Sequence, residues 1–354
     1  MIIPDTRLNV LMRDKELRLA VKTVEPYNRG RLYKIGRTMD GHSIIPIMCI
    51  ADNDEESPSP TEKGTYMTLN FTIAWESFYN YTSHLNYEGR GLELSDLKVY
   101  DGKLLAVDDK TGVIFRMTNK IAIPWVIQAD GNGFDNKTFK SEWLAIKDEE
   151  LYVGGYGKEY TDPVGNYMND KPLWIKVVNR FGQLRNVYFG REFKAMRAGI
   201  GITFPGYMIF ESAQWSEVFQ RWFFLTRKAS YEPYNEKEDH MRGSNYLIIA
   251  DESFKIFKYV RVGNEQLTRG FSAFQFIPDK CLKSLFLYIC CLGSNDQLMI
   301  ALKTEELEGM PLATYVLIFN IDGVVFLEEK VPGDNKYEGL EFFDWLTNWK
   351  YKNP

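Results

Sequence analysis

The sequence has few cysteines and histidines and no long apolar run, and each shortage argues against a class of protein. Four cysteines in 354 residues, three of them clustered between Cys281 and Cys291, do not provide a disulfide framework. The longest apolar stretch, Leu285 to Leu292, is far shorter than the roughly 18 residues of a membrane span. The three histidines have no Ser or Cys partner in their sequence context, so no nucleophilic triad is indicated.

Basic residues are not in excess either. Lys and Arg number 43 against 48 Asp and Glu, which gives a formal net charge of −5. Proteins that bind nucleic acid polymers normally present a basic face, so that partner is not expected, although a local basic pocket for a nucleotide stays compatible. Residues 1–20 carry scattered charges and no apolar core segment, so as they stand they do not predict a signal peptide.

Helical periodicity is scarce, and the candidate helices are short segments at 17–24 and 342–349. Almost everything else alternates with a period of two and is interrupted by turn pairs such as Asp101-Gly102. The stretch from Ala313 to Phe326, with Asp322-Gly323 near its end, predicts a hairpin. Many short strands with no helix between them predict an antiparallel, all-β fold.

What the sequence does contain is a short phrase that recurs five times. An oxygen-bearing residue opens an apolar strand, which a turn joins to a second apolar strand. Repetition at about 60 residues fits a four-stranded propeller blade with long loops, so we expect a five-bladed β-propeller. Residues 38–354 would form this single domain, and residues 1–37 an N-terminal extension. The copies are spaced by 47 to 69 residues and begin at Ser95, Glu142, Glu211, Ser272 and Glu338.

These five opening residues form a candidate metal site. Equivalent positions on the innermost strands of a propeller converge on its axis, and buried carboxylates that face one another must be paired or bound to metal. Ca²⁺ accepts six to eight oxygen ligands in a tolerant geometry, whereas the absence of His and Cys at these positions argues against zinc. For any one of these residues alone, a role as a turn residue is the better interpretation. Five such residues at the same position of the repeated phrase favour a central calcium site.

A second set of residues combines glycine with basic side chains. The segment Gly154–Glu159 follows a strand and contains Lys158, and several arginines lie near other strand ends. Glycine lets the backbone approach a ligand closely, and Lys or Arg matches the charge of a phosphate. The segment is not a P-loop, because the following Ser or Thr and the helix are missing. A lone pair such as Asp108-Asp109 is more often a hairpin turn than a catalytic pair.

At these motifs the chain resembles the calcium-activated nucleotidase family, which comprises the apyrases of blood-feeding-insect saliva and their soluble vertebrate relatives. The resemblance runs in the right order over roughly residues 44–343. Its most specific stretches are Ile50–Asp54, Gly89–Leu97, Val107–Val113, Lys140–Ala145, Tyr152–Glu159, Glu211–Ala213, Gly270–Ser272 and Lys336–Phe342.

The resemblance implies a fold, an activity and a set of site residues. It implies a five-bladed propeller whose central Ca²⁺ is held by the five opening residues, and hydrolysis of nucleoside di- and triphosphates to monophosphate and orthophosphate. It also implies a secreted or ER/Golgi-lumenal location. Asp52 and Asp109 correspond to the family's acidic residues beside the phosphates, and either could orient or deprotonate the attacking water. The matching basic, substrate-binding residues are Arg90, Lys158, Arg197 and Arg227.

Two other functions stay open at this point. One is a non-enzymatic propeller that serves as an interaction scaffold, and the other is a calcium-dependent hydrolase of the lactonase type. The five axial oxygens together with Asp109 and Lys158 favour the nucleotidase, because a scaffold needs none of them. Residues 279–295 are foreign to the family and read equally well as an apolar contact patch or as a gene-model artefact. Base preference, and whether the protein is a homodimer, stay open.

Overall fold

The computed structural model describes residues 25–37, 43–52, 66–72, 78–119, 121–278, 295–307, 310–333 and 335–344. The candidate helix at 17–24, most of the N-terminal extension and residues 279–294 of the insertion lie outside the described residues. Within them the regular secondary structure is almost entirely antiparallel strand, as the sequence predicts.

Four sheets are each built from four strands in chain order, and only the second is interrupted, by a short hairpin between its second and third strands. Every neighbouring pair is antiparallel, and short turns join most of the strands. The first sheet contains β6 (Leu94–Tyr100), β7 (Lys103–Asp108), β8 (Val113–Met117) and β9 (Ala122–Ile127). The second contains β10 (Trp143–Lys147), β11 (Glu150–Gly154), β14 (Trp174–Val178) and β15 (Leu184–Tyr188). The third contains β16 (Tyr207–Ser216), β17 (Arg221–Ser230), β18 (Tyr246–Asp251) and β19 (Phe257–Arg261). The fourth contains β20 (Arg269–Phe276), β21 (Leu298–Leu307), β22 (Met310–Asn320) and β23 (Val325–Lys330).

A further four-stranded sheet joins the two ends of the chain. Its order places the last strand of the chain beside an early one, with Lys336 opposite Asp52. The first strands of successive sheets contact one another, and the last strand returns to contact β6, so the described sheets form a β-propeller arrangement. In sheet order, its members are β24 (Lys336–Glu341), β3 (Met48–Asp52), β4 (Tyr66–Thr72) and β5 (Phe78–Ser83).

Short hairpins and 3-10 turns lie outside the four-stranded sheets. Two short hairpins, β1 (Gly36–Arg37) with β2 (Ser43–Ile44) and β12 (Tyr160–Thr161) with β13 (Tyr167–Asn169), lie outside the four-stranded sheets. Single 3-10 turns occur at Lys171–Leu173 and Asp239–Met241. None of the described helices is long and apolar enough to cross a membrane.

The sequence analysis missed one helix, α1 (Gly190–Ala198). Phe193 and Met196 are fully buried in it and pack with Phe189, which directly precedes the helix, against the cluster between the second and third sheets. The spacing of these three residues, four and then three, is helical, but nine residues are too few for that signal to stand out. Of the candidate helix at 342–349, residues 342–344 are described and are not helical.

The core lies between adjacent sheets. Alternate residues of the strands point into the gap on each side, so one apolar cluster joins each pair of neighbours. Trp143 of the second sheet, for example, packs edge-on against Phe224 of the third at 5.9 Å between ring centroids. This packing fixes the first strand of each sheet, and with it the residues that face the axis.

Candidate functional site

The five opening residues of the repeated phrase occupy equivalent places in the sheets. In four first strands the antiparallel register shifts at this residue, so that it lies in a β-bulge. Bulges re-aim a side chain and are typical of functional sites. Glu142, the fifth, directly precedes β10, where its N–H donates to the carbonyl of Gly154 at 2.7 Å. The four bulges bypass Ser95 in β6, Glu211 in β16, Ser272 in β20 and Glu338 in β24.

Each of the three axial carboxylates is paired with a basic side chain. Lys140 Nζ lies 2.8 Å from Glu142 Oε1, Arg227 Nη1 lies 3.4 Å from Glu211 Oε2, and Lys336 Nζ lies 3.1 Å from Glu338 Oε1. Within the described residues, no group of three or more His, Cys, Asp or Glu side chains is close enough together to hold a metal ion. The three acids therefore lie within ion pairs rather than in one tight cluster.

Oxygens of and beside these residues are buried without a hydrogen-bond partner. They are Ser95 Oγ and Asp109 Oδ1, whereas Glu211 Oε2 makes no hydrogen bond but lies 3.4 Å from Arg227 Nη1 in an ion pair. Burial raises the pKa of Glu142 to about 8; Lys140 opposes this shift, and the nearby carboxylates of Glu211 and Asp109 add to it. Buried polar atoms without a partner are rare in folded proteins, so oxygens of this kind fit a ligand that is cationic and takes oxygen donors.

Asp109 is joined to the axial residues through Lys140. The Lys140 ammonium contacts the carboxylates of both Asp109 and Glu142. Desolvation works to lower the pKa of Lys140, but the two carboxylates outweigh it and raise that pKa well above its ordinary value. Lys140 is therefore a fixed positive charge between a candidate catalytic acid and a candidate metal ligand.

The neighbouring Asp108 has a different role from Asp109. Its two carboxylate oxygens accept hydrogen bonds from the N–H groups of Leu92, Lys110 and Thr111, at 2.8 to 3.1 Å. The side chain is fully buried, and burial raises its pKa to about 7. Asp108 thus shapes the turn after β7, which presents Asp109 towards Lys140.

Arg227 lies between carboxylates of two sheets. Its Nη2 lies 2.7 Å from Glu306 Oε2, in addition to the contact of Nη1 with Glu211. Desolvation opposes the charge, but Glu211, Glu306 and Glu338 together raise the pKa of Arg227. Arg227 is therefore a permanently charged, buried group beside the axis.

Lys158 is buried in a cage of tyrosine rings. Its ammonium lies 4.3 Å from the ring centroid of Tyr234, and Tyr156 and Tyr207 lie at 5.7 and 5.6 Å. It donates hydrogen bonds to the Glu159 carbonyl and to Thr161 Oγ1, both at 3.1 Å. Burial lowers the pKa of Lys158 to about 8. The cage lies close to the axis, because the N–H of Phe210, which precedes Glu211, donates to the Tyr156 carbonyl.

The loop that carries Lys158 depends on Gly157. Its φ of +75° is unfavourable for other residues, and a Cβ there would lie 2.8 Å from the Phe193 ring. Beyond the cage, Tyr207 donates to Asp239 at 2.5 Å, and Asp239 also pairs with Lys228. Lys228 follows Arg227 in β17, so the contacts of Asp239 connect the cage to the strand that carries the axial arginine.

Two of the candidate substrate-binding arginines are held by carboxylates. Arg90 donates to both oxygens of Glu93, at 2.8 and 2.5 Å. Arg197 donates to both oxygens of Glu159, at 2.7 and 2.6 Å, and is buried. Such bidentate pairs hold the guanidinium in a fixed orientation. Arg90 is still near the site, because the Asp109 N–H donates to the Glu93 carbonyl at 2.9 Å.

Asp52 is the last residue of β3 and lies opposite Lys336 of β24. The Lys336 ammonium lies 3.5 Å from Glu306 and 3.1 Å from Glu338. The backbone of Asp52 therefore lies at the end of the β24–β3 pair where Lys336 and Glu338 are found. Asp54 lies outside the described residues.

Sequence reasoning missed several members of this site. Glu306 pairs with Arg227 from 79 residues away and Asp239 pairs with Lys228 from 11 residues away, and no motif marks either acid. Lys140 had a usable signal, since it stands two residues before Glu142 in the phrase and extended backbone places such residues on the same side. The tyrosine cage had no such signal in the sequence, because its rings come from three separate loops and strands.

Comparison with known proteins places the chain among nucleotide-hydrolysing relatives. The apyrase family profile matches residues 53–343. The chain is similar to soluble calcium-activated nucleotidase 1 of Mus musculus, with 42% identity over 92% of this chain and 80% of the mouse protein. It is 39% identical to apyrase apy-1 of Caenorhabditis elegans over 90% of both chains. An apyrase of Cimex lectularius is 35% identical over 83% of this chain and 81% of its own length.

Proposed function

The chain belongs to the apyrase family, and we propose that it is a calcium-dependent nucleotidase. Its substrates are nucleoside di- and triphosphates, which it hydrolyses to a monophosphate and orthophosphate. Water attacks the terminal phosphorus, the phosphoanhydride P–O bond breaks, and the attacking water loses its proton to a carboxylate.

The observation that carries this proposal is the set of four β-bulges at equivalent residues. A bulge at one strand start could be incidental, but bulges at Ser95, Glu211, Ser272 and Glu338 aim four oxygen donors alike. Glu142 supplies the fifth from the start of β10. We propose that these five residues hold Ca²⁺, with its oxygen-only donor set. The buried Ser95 Oγ, which has no hydrogen-bond partner, supports the fit.

When bound, Ca²⁺ supplies positive charge to the phosphate oxygens of the substrate. The basic side chains around the axis do the rest of the phosphate binding. Lys158 and Arg227 are buried and positively charged at neutral pH, so they attract phosphate strongly in a site with little water. Arg90 and Arg197 are fixed by Glu93 and Glu159, and they shape the walls of the site.

We assign to Asp109 the role of orienting or deprotonating the attacking water. One of its oxygens contacts Lys140, and the other is buried without a partner, so it can accept a proton or a hydrogen bond from water. Lys140 fixes the orientation of the carboxylate. Asp52 is the second candidate, from the adjoining edge of the β24–β3 pair.

We also propose how the propeller closes. The sheet formed by β24 with β3–β5 acts as a fifth blade that closes a single propeller domain of residues 38–354, with residues 1–37 as its extension. Secretion, or residence in the ER or Golgi lumen, would expose the enzyme to the millimolar range of Ca²⁺ in which weak extracellular sites are occupied.

Phosphate release from a panel of UDP, GDP, ADP and ATP tests the activity. We expect release with Ca²⁺, none with EGTA, and poor activity with Mg²⁺, which demands a tighter octahedral geometry. The variant Lys158→Met should cripple nucleotide hydrolysis, whereas a lactonase would tolerate it. Equal release in the presence of EGTA would overturn the calcium dependence, and no release from any nucleotide would overturn the function.

A further inference from the structure

The loop between β9 and β10 carries an acceptor motif for N-linked glycosylation, which the proposed chemistry does not use. The motif is Asn136-Lys137-Thr138, an asparagine followed two residues later by a threonine, with a residue other than proline between them. Triplets of this kind also arise by chance, and the chain has two others, which begin at Asn70 and Asn80. The structure distinguishes the three by the place of each asparagine.

The triplets at Asn70 and Asn80 belong to paired strands. Asn70 lies in β4, which pairs with β3 on one side and with β5 on the other. Asn80 is exposed, but it lies in β5 opposite Leu69, and the middle residue of its triplet, Tyr81, is fully buried. A glycan is bulky and hydrophilic, so it suits a surface loop better than a paired strand.

Asn136 lies in such a loop. Asn136 and Lys137 are both exposed, and hydrogen bonds of the backbone hold the segment in a defined turn. The N–H of Asp130 donates to the Lys137 carbonyl at 2.9 Å, and the N–H of Lys137 donates to Asp135 Oδ1 at 3.0 Å. The loop therefore presents the asparagine at the surface, where it can carry a glycan without displacing a buried side chain.

An exposed aromatic ring precedes this asparagine by two residues. Phe134 is 94% exposed, more than any other large apolar side chain of the described residues. Single exposed apolar side chains are common, so the exposure alone does not indicate a ligand. The position of Phe134 beside an acceptor asparagine is the second observation. The face of an aromatic ring carries partial negative charge and attracts the polarised C–H groups of a sugar ring.

We propose that Asn136 is an N-glycosylation site and that the first sugar of its glycan packs on the ring of Phe134. The donor is an oligosaccharide that a diphosphate links to a membrane lipid. The amide nitrogen of Asn136 attacks C1 of the first sugar, and the bond between C1 and the diphosphate oxygen breaks. The lipid diphosphate leaves with the electron pair, and the amide proton passes to a base of the transferase. The inference rests on the secretory location that forms part of the proposed function.

The third residue of the motif also has a structural role, which decides the choice of variant. Thr138 Oγ1 donates to the Lys110 carbonyl at 2.7 Å, directly after Asp109 in the chain. Removing this hydroxyl would change both the motif and the turn that carries a candidate catalytic acid. Asn136→Gln removes the acceptor alone and leaves that contact in place, so it is the better test.

The test expresses the full chain behind a cleavable secretory leader in eukaryotic cells. Peptide N-glycosidase F, which leaves aspartate where it removes a glycan, should convert Asn136 to aspartate, and peptide mass spectrometry locates this change. Asn136→Gln should lose one glycan. Asn132→Gln is the matched control, because Asn132 is an exposed asparagine of the same loop outside any motif, and it should lose none.

Thermal unfolding tests the contact with Phe134. Removal of the glycan should lower the unfolding midpoint of the wild type and leave that of glycosylated Phe134→Ala unchanged. Equal shifts in the two proteins would overturn the contact. An unmodified Asn136 in the secreted wild type would overturn the site, even if Asn70 or Asn80 carried a glycan.

Phosphate release from UDP, measured on the same samples, separates the two proposals. Protein that is glycosylated at Asn136 but hydrolyses no nucleotide would overturn the proposed function and keep the glycosylation site. Secreted protein that hydrolyses UDP with an unmodified Asn136 would overturn the site and keep the function.

Discussion

Nη2 of Arg227 lies 2.7 Å from Oε2 of Glu306, and the two residues come from different sheets. Arg227 belongs to β17 and Glu306 to β21. Although burial works in the opposite direction, Arg227 and Lys336 hold the pKa of Glu306 far below its usual range, so the carboxylate stays ionised. Glu306 therefore balances part of the charge of Arg227, together with Glu211 and Glu338.

Glu306→Gln should destabilise the fold. The variant removes one charge of a buried pair and leaves the guanidinium of Arg227 under-compensated, so we expect the free energy of unfolding to fall by about 2–4 kcal/mol. Urea unfolding measures this. Glu328→Gln is the matched control, since Glu328 contacts Arg269 at 3.5 Å on the surface and its loss should cost less than about 1 kcal/mol. Equal effects of the two variants would contradict the role of Glu306.

Lys140→Met should separate metal binding from turnover. Removing a positive charge beside Glu142 should let Ca²⁺ bind more tightly, because like charges repel. The same change frees Asp109, so kcat should fall by about tenfold or more. Calcium titration of activity gives both quantities. Lys137→Met, at a lysine that lies 5.9 Å from the Tyr160 ring, is the control. In Lys140→Met, half-maximal activity should need a lower Ca²⁺ concentration than in the wild type. An unchanged kcat in this variant would contradict the assignment of Asp109.

The affinity for substrate should depend on pH through Lys158. Its pKa is lowered from the usual value to about 8, so the ammonium is charged below that pH and neutral above it. We therefore expect KM to be flat in neutral solution and to rise as the pH passes through about 8. Lys158→Arg should flatten this rise, because a guanidinium stays charged. A Lys158→Met variant whose KM rises over the same pH range would contradict the assignment.

The all-β class and the strand framework follow from local patterns. The hairpin predicted from Ala313 to Phe326 is found as β22 and the start of β23, which a turn at Asp322-Gly323 joins. The strands that begin at the repeated phrase are also found, because each copy carries the same alternation and the same turn. These features depend on neighbouring residues alone, so a single sequence contains the information.

The pairings that assemble the site could not be read in the same way. Asp109 meets Lys140 from 31 residues away, and Arg227 meets Glu306 from 79 residues away. Such contacts depend on how neighbouring sheets are placed, which no local pattern encodes. Helix α1 was missed because its nine residues carry too short a helical pattern, and the burial of Phe193 and Met196 between the second and third sheets is not visible in the sequence. The roles of the individual site residues stay predictions until variants are measured.

Equilibrium dialysis of the metal-free protein against ⁴⁵Ca²⁺ tests the central claim most directly. We expect a single Ca²⁺ per chain, and Glu211→Gln should weaken its binding by about tenfold or more because it removes a charged oxygen ligand. Glu217→Gln, at an exposed residue on the turn after β16, should bind as the wild type does. Calcium binding that is absent from the wild type, or that is the same in all three proteins, would contradict a calcium centre at the bulged residues.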